Sequence, residues 1–246
     1  MKKKLSAIYF DIDDTLYSTT SFSEKARLNA VINMIKAGLK ISEEECLKSL
    51  NEVISEFPKN YEMHFNKLLT RLGEDTYKNI NPNIIIAAGV VGYHETKHRE
   101  LVIYEDVDDV LKILSATNLK LGIITAGLIT KQAEKIVRLG VNRYIDNSLI
   151  FITDECGFAK TNPKFYELAA KKAKIPANEI MYIGDNPLSD VDTSNAVGMI
   201  SVLVKRGGKY LNEKSKTEPD YIIQNFWELL ELIQKDFSVK LPKRKL

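Results

Sequence analysis

Cysteine is scarce in this chain: Cys46 and Cys156 are its two representatives, far apart and without metal-ligand spacing. That pattern suits reduced thiols in a cytoplasmic protein. Histidine is almost as rare, with His64, His94 and His98 the full complement. No sign of charge dominates, and a net charge of +2 gives no general attraction to polyanions such as nucleic acid. Long apolar runs are missing as well. The longest uncharged run, Asn79 to His94, contains several Asn and is shorter than the roughly 18 apolar residues of a membrane span. Lys2 to Lys4 precede an apolar stretch that acids interrupt too early for a signal peptide. The basic tail "KLPKRKL" reads as solvated and frayed. Repeats and low-complexity segments are also lacking. What is present is the balance of an ordinary globular protein, 44% hydrophobic and 28% charged, in 246 residues. This length suits one core with a sizeable insertion.

The chain has two grammars. Leu5 to Phe10 has the pattern of a strand buried on both faces. Helical signals follow: Ser23 to Ala37, ended by Gly38; a capping box "SEEE" at Ser42 to Glu45, opening a helix; Tyr61 to Leu72, ended by Gly73; and Asn81-Pro82, opening a helix to about Glu100. The apolar "IIIAAGVVGY" in the last of these reads as helix packing within the block. From Val102 strands and helices alternate. Asp106 can cap a helix through Leu114, and Leu119 to Thr125 is a strand followed by a helix over Thr130 to Leu139. Ser148 to Thr153 is a strand, Pro163 to Lys172 a helix and Glu179 to Gly184 a strand. A helix over Asp190 to Val197, strands at Ile200 to Val204 and Tyr221 to Ile223, and a helix over Phe226 to Ile233 complete the chain. Repeated βα units predict a parallel sheet covered by helices on both faces. The first strand belongs to that sheet, so the helical block is an insertion.

Ligands gather beyond the carboxyl ends of strands in such sheets. There the sequence puts Asp11 and Asp13 after the first strand, Thr125 after "LGII" and Asp185 after "MYIG", with Lys160 in the loop after "LIFIT". Positions i and i+2 of an extended segment share a face, so Asp11 and Asp13 point one way and Asp14, a turn residue, the other. Closely spaced carboxylates repel, and a divalent cation cancels the repulsion; hard oxygen ligands suit magnesium. Asp11, Asp13 and Asp185 supply three carboxylates for one ion. A carboxylate beside a metal and a cation can attack phosphorus, while a second carboxyl protonates the departing alcohol and later activates water. Thr125 and backbone N–H groups next to Gly127 are placed to hold phosphoryl oxygens, and Lys160 to offset their charge.

These residues resemble the haloacid dehalogenase superfamily of phosphohydrolases. Its four motifs occur in order: "DIDDT" (Asp11 to Thr15), "IITAG" with Thr125, "GFAKTNPKFY" with Lys160, and "IGDNPLSD" with Asp185 and Asp190. The resemblance implies an α/β fold, a Rossmann-like core of residues 1–16 and 101–246, with a type 1 α-helical cap inserted at 17–100. It implies Asp11 as nucleophile and Asp13 as general acid/base. Magnesium would be held by Asp11, the main-chain carbonyl of Asp13 and Asp185. Thr125, Ala126, Gly127 and Lys160 would meet the phosphate, while Asp190 orients Lys160 or a metal-bound water and Thr15 supports the first motif. Two departures stand out. Ala126 replaces the Asn often found after the second-motif Thr, and Thr161-Asn162 separate Lys160 from Pro163. The stretches "LYSTTSFSEKARLNAV" and "YHETK" are similar to a subgroup of phosphatases acting on glyceraldehyde 3-phosphate.

The expected activity is therefore magnesium-dependent hydrolysis of a small phosphate monoester by a cytoplasmic enzyme, its partner a phosphorylated metabolite and not nucleic acid or membrane. A sugar phosphomutase keeps every motif. A dehalogenase has no need of magnesium or of an acid at Asp13, and a phosphometabolite sensor no use for a nucleophile. "HETKH", His94 to His98, matches a zinc-protease signature but lacks a third ligand. Tyr93, His94 and Lys97 are candidates for substrate contact.

Overall fold

The computed structural model describes residues 2–58 and 61–242. The end of the basic tail, residues 243–246, lies outside them. The chain divides into two compact units, Met1–Thr19 with Val102–Leu246, and Thr20–Leu101. Among the described residues no helix is long and apolar enough to cross a membrane.

The chain begins with β1 (Ala7–Phe10), every residue of which is buried. Four helices follow, α1 (Thr19–Lys36), α2 (Glu43–Glu56), α3 (His64–Leu72) and α4 (Pro82–Glu100). Their starts obey local chemistry. Ser42 Oγ accepts the Glu45 N–H at 3.2 Å and donates to Glu45 Oε2 at 2.7 Å, a reciprocal cap for α2. Asn81 caps α4 by accepting the Asn83 N–H, with Pro82 in the first turn, where its missing N–H costs nothing. The helices enclose a core of Val31, Met34, Leu39, Cys46, Leu50, Leu68, Leu69 and Ile85. Gly92 lets α4 approach α1: a Cβ there would lie 2.7 Å from the Asn29 carbonyl oxygen. The apolar run of α4 is only partly consumed by this packing. Ile85, Gly89 and Gly92 are buried, while Ile84 and Val91 are exposed.

The other unit continues with α5 (Glu105–Ser115), β2 (Lys120–Thr125), α6 (Ile129–Arg138), β3 (Ile150–Ile152), α7 (Thr153–Cys156), α8 (Pro163–Ala173), β4 (Ile180–Gly184), α9 (Thr193–Ala196), β5 (Ile200–Val204), β6 (Tyr221–Ile223) and α10 (Phe226–Asp236). The strands form one parallel sheet in the order β3-β2-β1-β4-β5-β6. The first strand thus joins the sheet as expected, and at its centre. Alternation along β1 feeds both faces. Ala7 and Tyr9 enter a core with Phe165, Tyr166 and Tyr182, whereas Phe10 stacks on Phe226 of α10 at 5.9 Å. Strands β2, β1 and β4 are neighbours, so the residues that end them come together.

Three sequence expectations change. Ser148 to Thr153 is not all strand: Asp146 accepts the N–H and the hydroxyl of Ser148 at 2.9 and 2.7 Å and turns the chain, leaving Ile150–Ile152 as strand. Asp106 does not cap α5, whose cap position is Tyr104. It instead pairs with Arg206 through both terminal guanidinium nitrogens and accepts the Phe226 N–H at 2.7 Å, anchoring the start of α10. Asp190 does not begin a regular helix. It lies within a wide π-helical turn, Pro187–Asp192, capped by Asn186, before α9.

Candidate active site

Asp11 follows β1 directly, its N–H still donating to the Ile183 carbonyl at 2.9 Å as if the strand continued. Asp185 follows β4 directly, and both are buried. Lys160 arrives from the segment before α8. The inserted Thr161-Asn162 has a local use there, since Asn162 Oδ1 accepts the Lys164 N–H at 3.0 Å and caps α8, with Pro163 in its first turn. Asp190 comes from the π-helical turn, a form that recurs at functional sites.

These four side chains meet. Lys160 Nζ lies 2.7 Å from Asp11 Oδ1 and 2.7 Å from Asp190 Oδ1, and 5.6 Å from the centre of the Tyr182 ring. Asp190 is oriented further by the Asn186 N–H at 3.0 Å and the Ser189 hydroxyl at 3.0 Å. Asp11, Asp185 and Asp190 each offer an oxygen within 4.8 Å of the others. Among the described residues, Asp185 Oδ2 is buried without a hydrogen-bond partner, as is Thr15 Oγ1.

One cation facing three carboxylates leaves surplus negative charge, and the acidities record it. Burial, then Asp11 and Asp190, push the Asp185 carboxyl up to about 8. Burial also raises Asp11, to about 6, with Lys160 pulling down and Asp190 and Asp13 pushing up. Burial works against the Lys160 ammonium, yet Asp11 and Asp190 outweigh it and hold its pKa well above the ordinary value. With Asp185 Oδ2 unpartnered beside them, Asp11, Asp185 and Asp190 could hold a cation. Their hard oxygen donors fit magnesium.

The Asp13 side chain departs from the expected set of three carboxylates on one ion. Lys135 Nζ, from α6, reaches Oδ1 at 2.6 Å and Oδ2 at 2.7 Å, and the hydroxyls of Tyr17 and Thr19 donate to Oδ1 at 2.8 and 2.7 Å. Burial pushes the Asp13 carboxyl up, but the Lys135 charge and these bonds prevail and hold it below the usual carboxylate range. Asp190 takes the third place in the carboxylate cluster. Asp14 has a left-handed backbone, φ 52°, in the turn after the first motif, as expected of a turn residue.

Thr125 is buried at the end of β2 and its hydroxyl donates to Gln132 Oε1 at 3.4 Å. Gln132 Nε2 donates to the Ala126 carbonyl at 2.8 Å. The Gly127 N–H is given to Thr153 Oγ1 at 3.0 Å, so one of the backbone donors expected around Gly127 is already used in this arrangement. Sequence reading missed Gln132, Lys135, Tyr17 and Thr19. Among the described residues no group of three potential metal ligands includes His94 or His98.

The sequence pattern of haloacid dehalogenase-like hydrolases matches residues 8–204. The chain belongs to that family. This haloacid dehalogenase-like hydrolase is 38% identical over 236 residues to the glyceraldehyde 3-phosphate phosphatase of Methanopyrus kandleri, covering 94% of this chain and 98% of that protein. It is 36% identical over 231 residues to the glyceraldehyde 3-phosphate phosphatase of Methanocaldococcus jannaschii, covering 94% and 97%. The crystal structure of YfnB from Bacillus subtilis, bound to magnesium, shares its fold with a TM-score of 0.63 at 17% identity, covering 94% of this chain and 99% of that one. The chain is accordingly a hydrolase, and of the phosphatase kind.

Proposed function

We propose that this hydrolase is a magnesium-dependent phosphatase that cleaves a small phosphate monoester in the cytoplasm through a phosphorylated Asp11. The observation that carries the reading is Asp185 Oδ2, buried and unpartnered beside Asp11 and Asp190. Asp11, Asp185 and the main-chain carbonyl of Asp13 would hold the ion. Bound magnesium supplies charge neutralisation and Lewis acidity toward the phosphoryl group.

Asp11 Oδ1 takes the bond from Lys160, which leaves Oδ2 as the attacking oxygen. Its lone pair forms the new bond to phosphorus as the ester P–O bond breaks, and the departing alkoxide takes a proton that Asp13, ionised in the free protein by its pair with Lys135, first accepts from the incoming ester monoanion. Water then attacks the phosphorylated Asp11. Asp13 recovers the proton from that water, and phosphate leaves as the bond from the Asp11 oxygen to phosphorus breaks. Lys160 offsets the charge on the phosphoryl oxygens, and Asp190 holds Lys160 in place. Thr125 lends its hydroxyl to the phosphate.

Glyceraldehyde 3-phosphate is the substrate to test first, since it is named for relatives aligned over nearly the whole chain. Phosphate release from it and from 4-nitrophenyl phosphate should require magnesium and stop on chelation. Asp11→Asn should lower kcat by roughly a thousandfold or more. Unchanged turnover in Asp11→Asn, or turnover indifferent to chelation, overturns the proposal.

A further inference from the structure

Between β2 and α6 the chain passes through Ala126, Gly127 and Leu128, directly after Thr125. Gly127 has φ 141°, a backbone conformation that other residues disfavour, and a Cβ there would lie 2.6 Å from Gln132 Nε2. A peptide unit joined to glycine rotates at little steric cost, so the local chain does not decide which way the Ala126–Gly127 unit faces.

Two side chains decide it from outside. The Ala126 carbonyl accepts from Gln132 Nε2 at 2.8 Å, and the Gly127 N–H donates to Thr153 Oγ1 at 3.0 Å. These are the two ends of one peptide unit, and their partners come from different elements, α6 and α7. A carbonyl only accepts, so the amide nitrogen of Gln132 faces Ala126 and its oxygen is left for the Thr125 hydroxyl, at 3.4 Å. Gln132 shares the buried face of α6 with Ile136, a place where apolar packing is the rule. Beside Thr153, Asp154 Oδ2 accepts the Ile129 N–H at 3.1 Å and so caps the start of α6, whose own cap residue, Leu128, has no polar side chain. The second motif is thus held by the short helix that precedes Lys160 in the chain.

We propose that Gln132 and Thr153 are positioning residues for the phosphate group: gripping the Ala126–Gly127 peptide at both ends, they keep the Ala126 carbonyl on its donor and stop the unit from turning a bare carbonyl oxygen toward phosphoryl oxygens bound at Thr125. A carbonyl oxygen and a phosphoryl oxygen carry partial charge of the same sign. A peptide free to turn therefore opposes binding of the anion, while one fixed by two hydrogen bonds is organised before the anion arrives. Gln132 and Thr153 act through the main chain and not on the reacting atoms. This inference rests on the phosphatase reading above.

The phosphoryl group is present in substrate and transition state alike, so releasing the peptide costs binding rather than turnover. The test is calorimetric titration with inorganic phosphate in magnesium, together with kcat and KM on 4-nitrophenyl phosphate, for the wild type, Thr153→Val, Thr153→Ser, Gln132→Met and the double variant of Thr153→Val with Gln132→Met. Thr153→Val removes the acceptor with little change of shape, and should raise the phosphate Kd and the KM about tenfold, with kcat within about threefold of the wild type. Thr153→Ser, which keeps the hydroxyl, should bring both back to within about twofold. The double variant should lose little more than the weaker-binding single one, because either change frees the same peptide. Equal phosphate affinity in the wild type and Thr153→Val, in proteins that melt alike, overturns the inference. Tighter binding in Thr153→Val overturns it too, since Thr153 would then be competing with phosphate for the Gly127 N–H. Should Thr153→Val fail to fold, Thr153→Ala is judged by the same criterion. A wild type that binds phosphate but hydrolyses neither 4-nitrophenyl phosphate nor glyceraldehyde 3-phosphate overturns the phosphatase reading, and the titrations still decide this one. A wild type that neither binds nor hydrolyses overturns both, whereas an active wild type with flat affinities across the variants overturns this one alone.

Discussion

Lys160 is the residue on which the electrostatics of the site turn. Its side chain is 8% exposed, and among the described residues it is the cation bonded to both Asp11 and Asp190, themselves buried. Lys160→Met leaves those two carboxylates facing each other without their counter-charge. Breaking a buried pair from one side costs about 3–5 kcal/mol, so the urea midpoint of metal-free protein at neutral pH should fall markedly and recover in part with magnesium. An unchanged midpoint would mean that Lys160 contributes nothing to stability through these pairs. Asp11, Thr125, Lys160 and Asp185 were legible in the sequence because each closes or follows an apolar run, and a strand's end in a parallel sheet is a place before it is a partner. The hold on Asp13 was not legible. Its main partner lies 122 residues away on a helix face that reads as ordinary surface, and no local period joins the two. Asp106 shows the same limit, since its cap-like position gave no sign of Arg206, 100 residues on.

Among the elements, the turn after β4 shows how backbone shape serves chemistry. Gly184 ends the strand, and a Cβ there would lie 2.1 Å from Asp190 Oδ2 and 2.5 Å from its Cγ. The π-helical turn folds Asp190 back over the strand end, and only glycine leaves room. Gly184→Ala should displace the Asp190 carboxylate from Lys160 and the Asn186 N–H, costing about 1–3 kcal/mol in thermal stability, and kcat should fall as Lys160 loses its support. A variant with wild-type kcat and melting temperature would show that Asp190 moves aside freely. Most helices and strands of the αβ alternation were readable from their apolar periods, although the short α7 was not. The interruptions were not: the Asp146 turn that shortens β3 and the wide turn around Asp190 arise from side chain to backbone bonds that override the period.

At the scale of the whole molecule, the site makes metal-free stability depend on pH in an unusual direction. Asp185 and Asp11 have folded pKa values raised from 3.8 to about 8 and about 6. A raised carboxylate binds its proton more tightly folded than unfolded, so its contribution is fully present below the unfolded value and is lost as pH rises through the folded one. Asp13 is lowered, and so gives stability present above its unfolded value and lost as pH falls through the folded one. The two trends leave the metal-free protein most stable near the ordinary carboxylate value, at about pH 4, declining from there to about pH 8 and levelling above it. A bound divalent cation favours the charged carboxylates, so magnesium should remove the alkaline decline and stabilise more at about pH 9 than at about pH 5. Asp185→Asn takes away the group with the higher of these raised values and should flatten the metal-free profile while weakening the magnesium effect. Melting temperatures measured across that range in chelator and in magnesium would show this. If they instead rise steadily with pH in chelator, the buried acids carry no surplus charge, and the case for a cation among Asp11, Asp185 and Asp190 loses its physical basis.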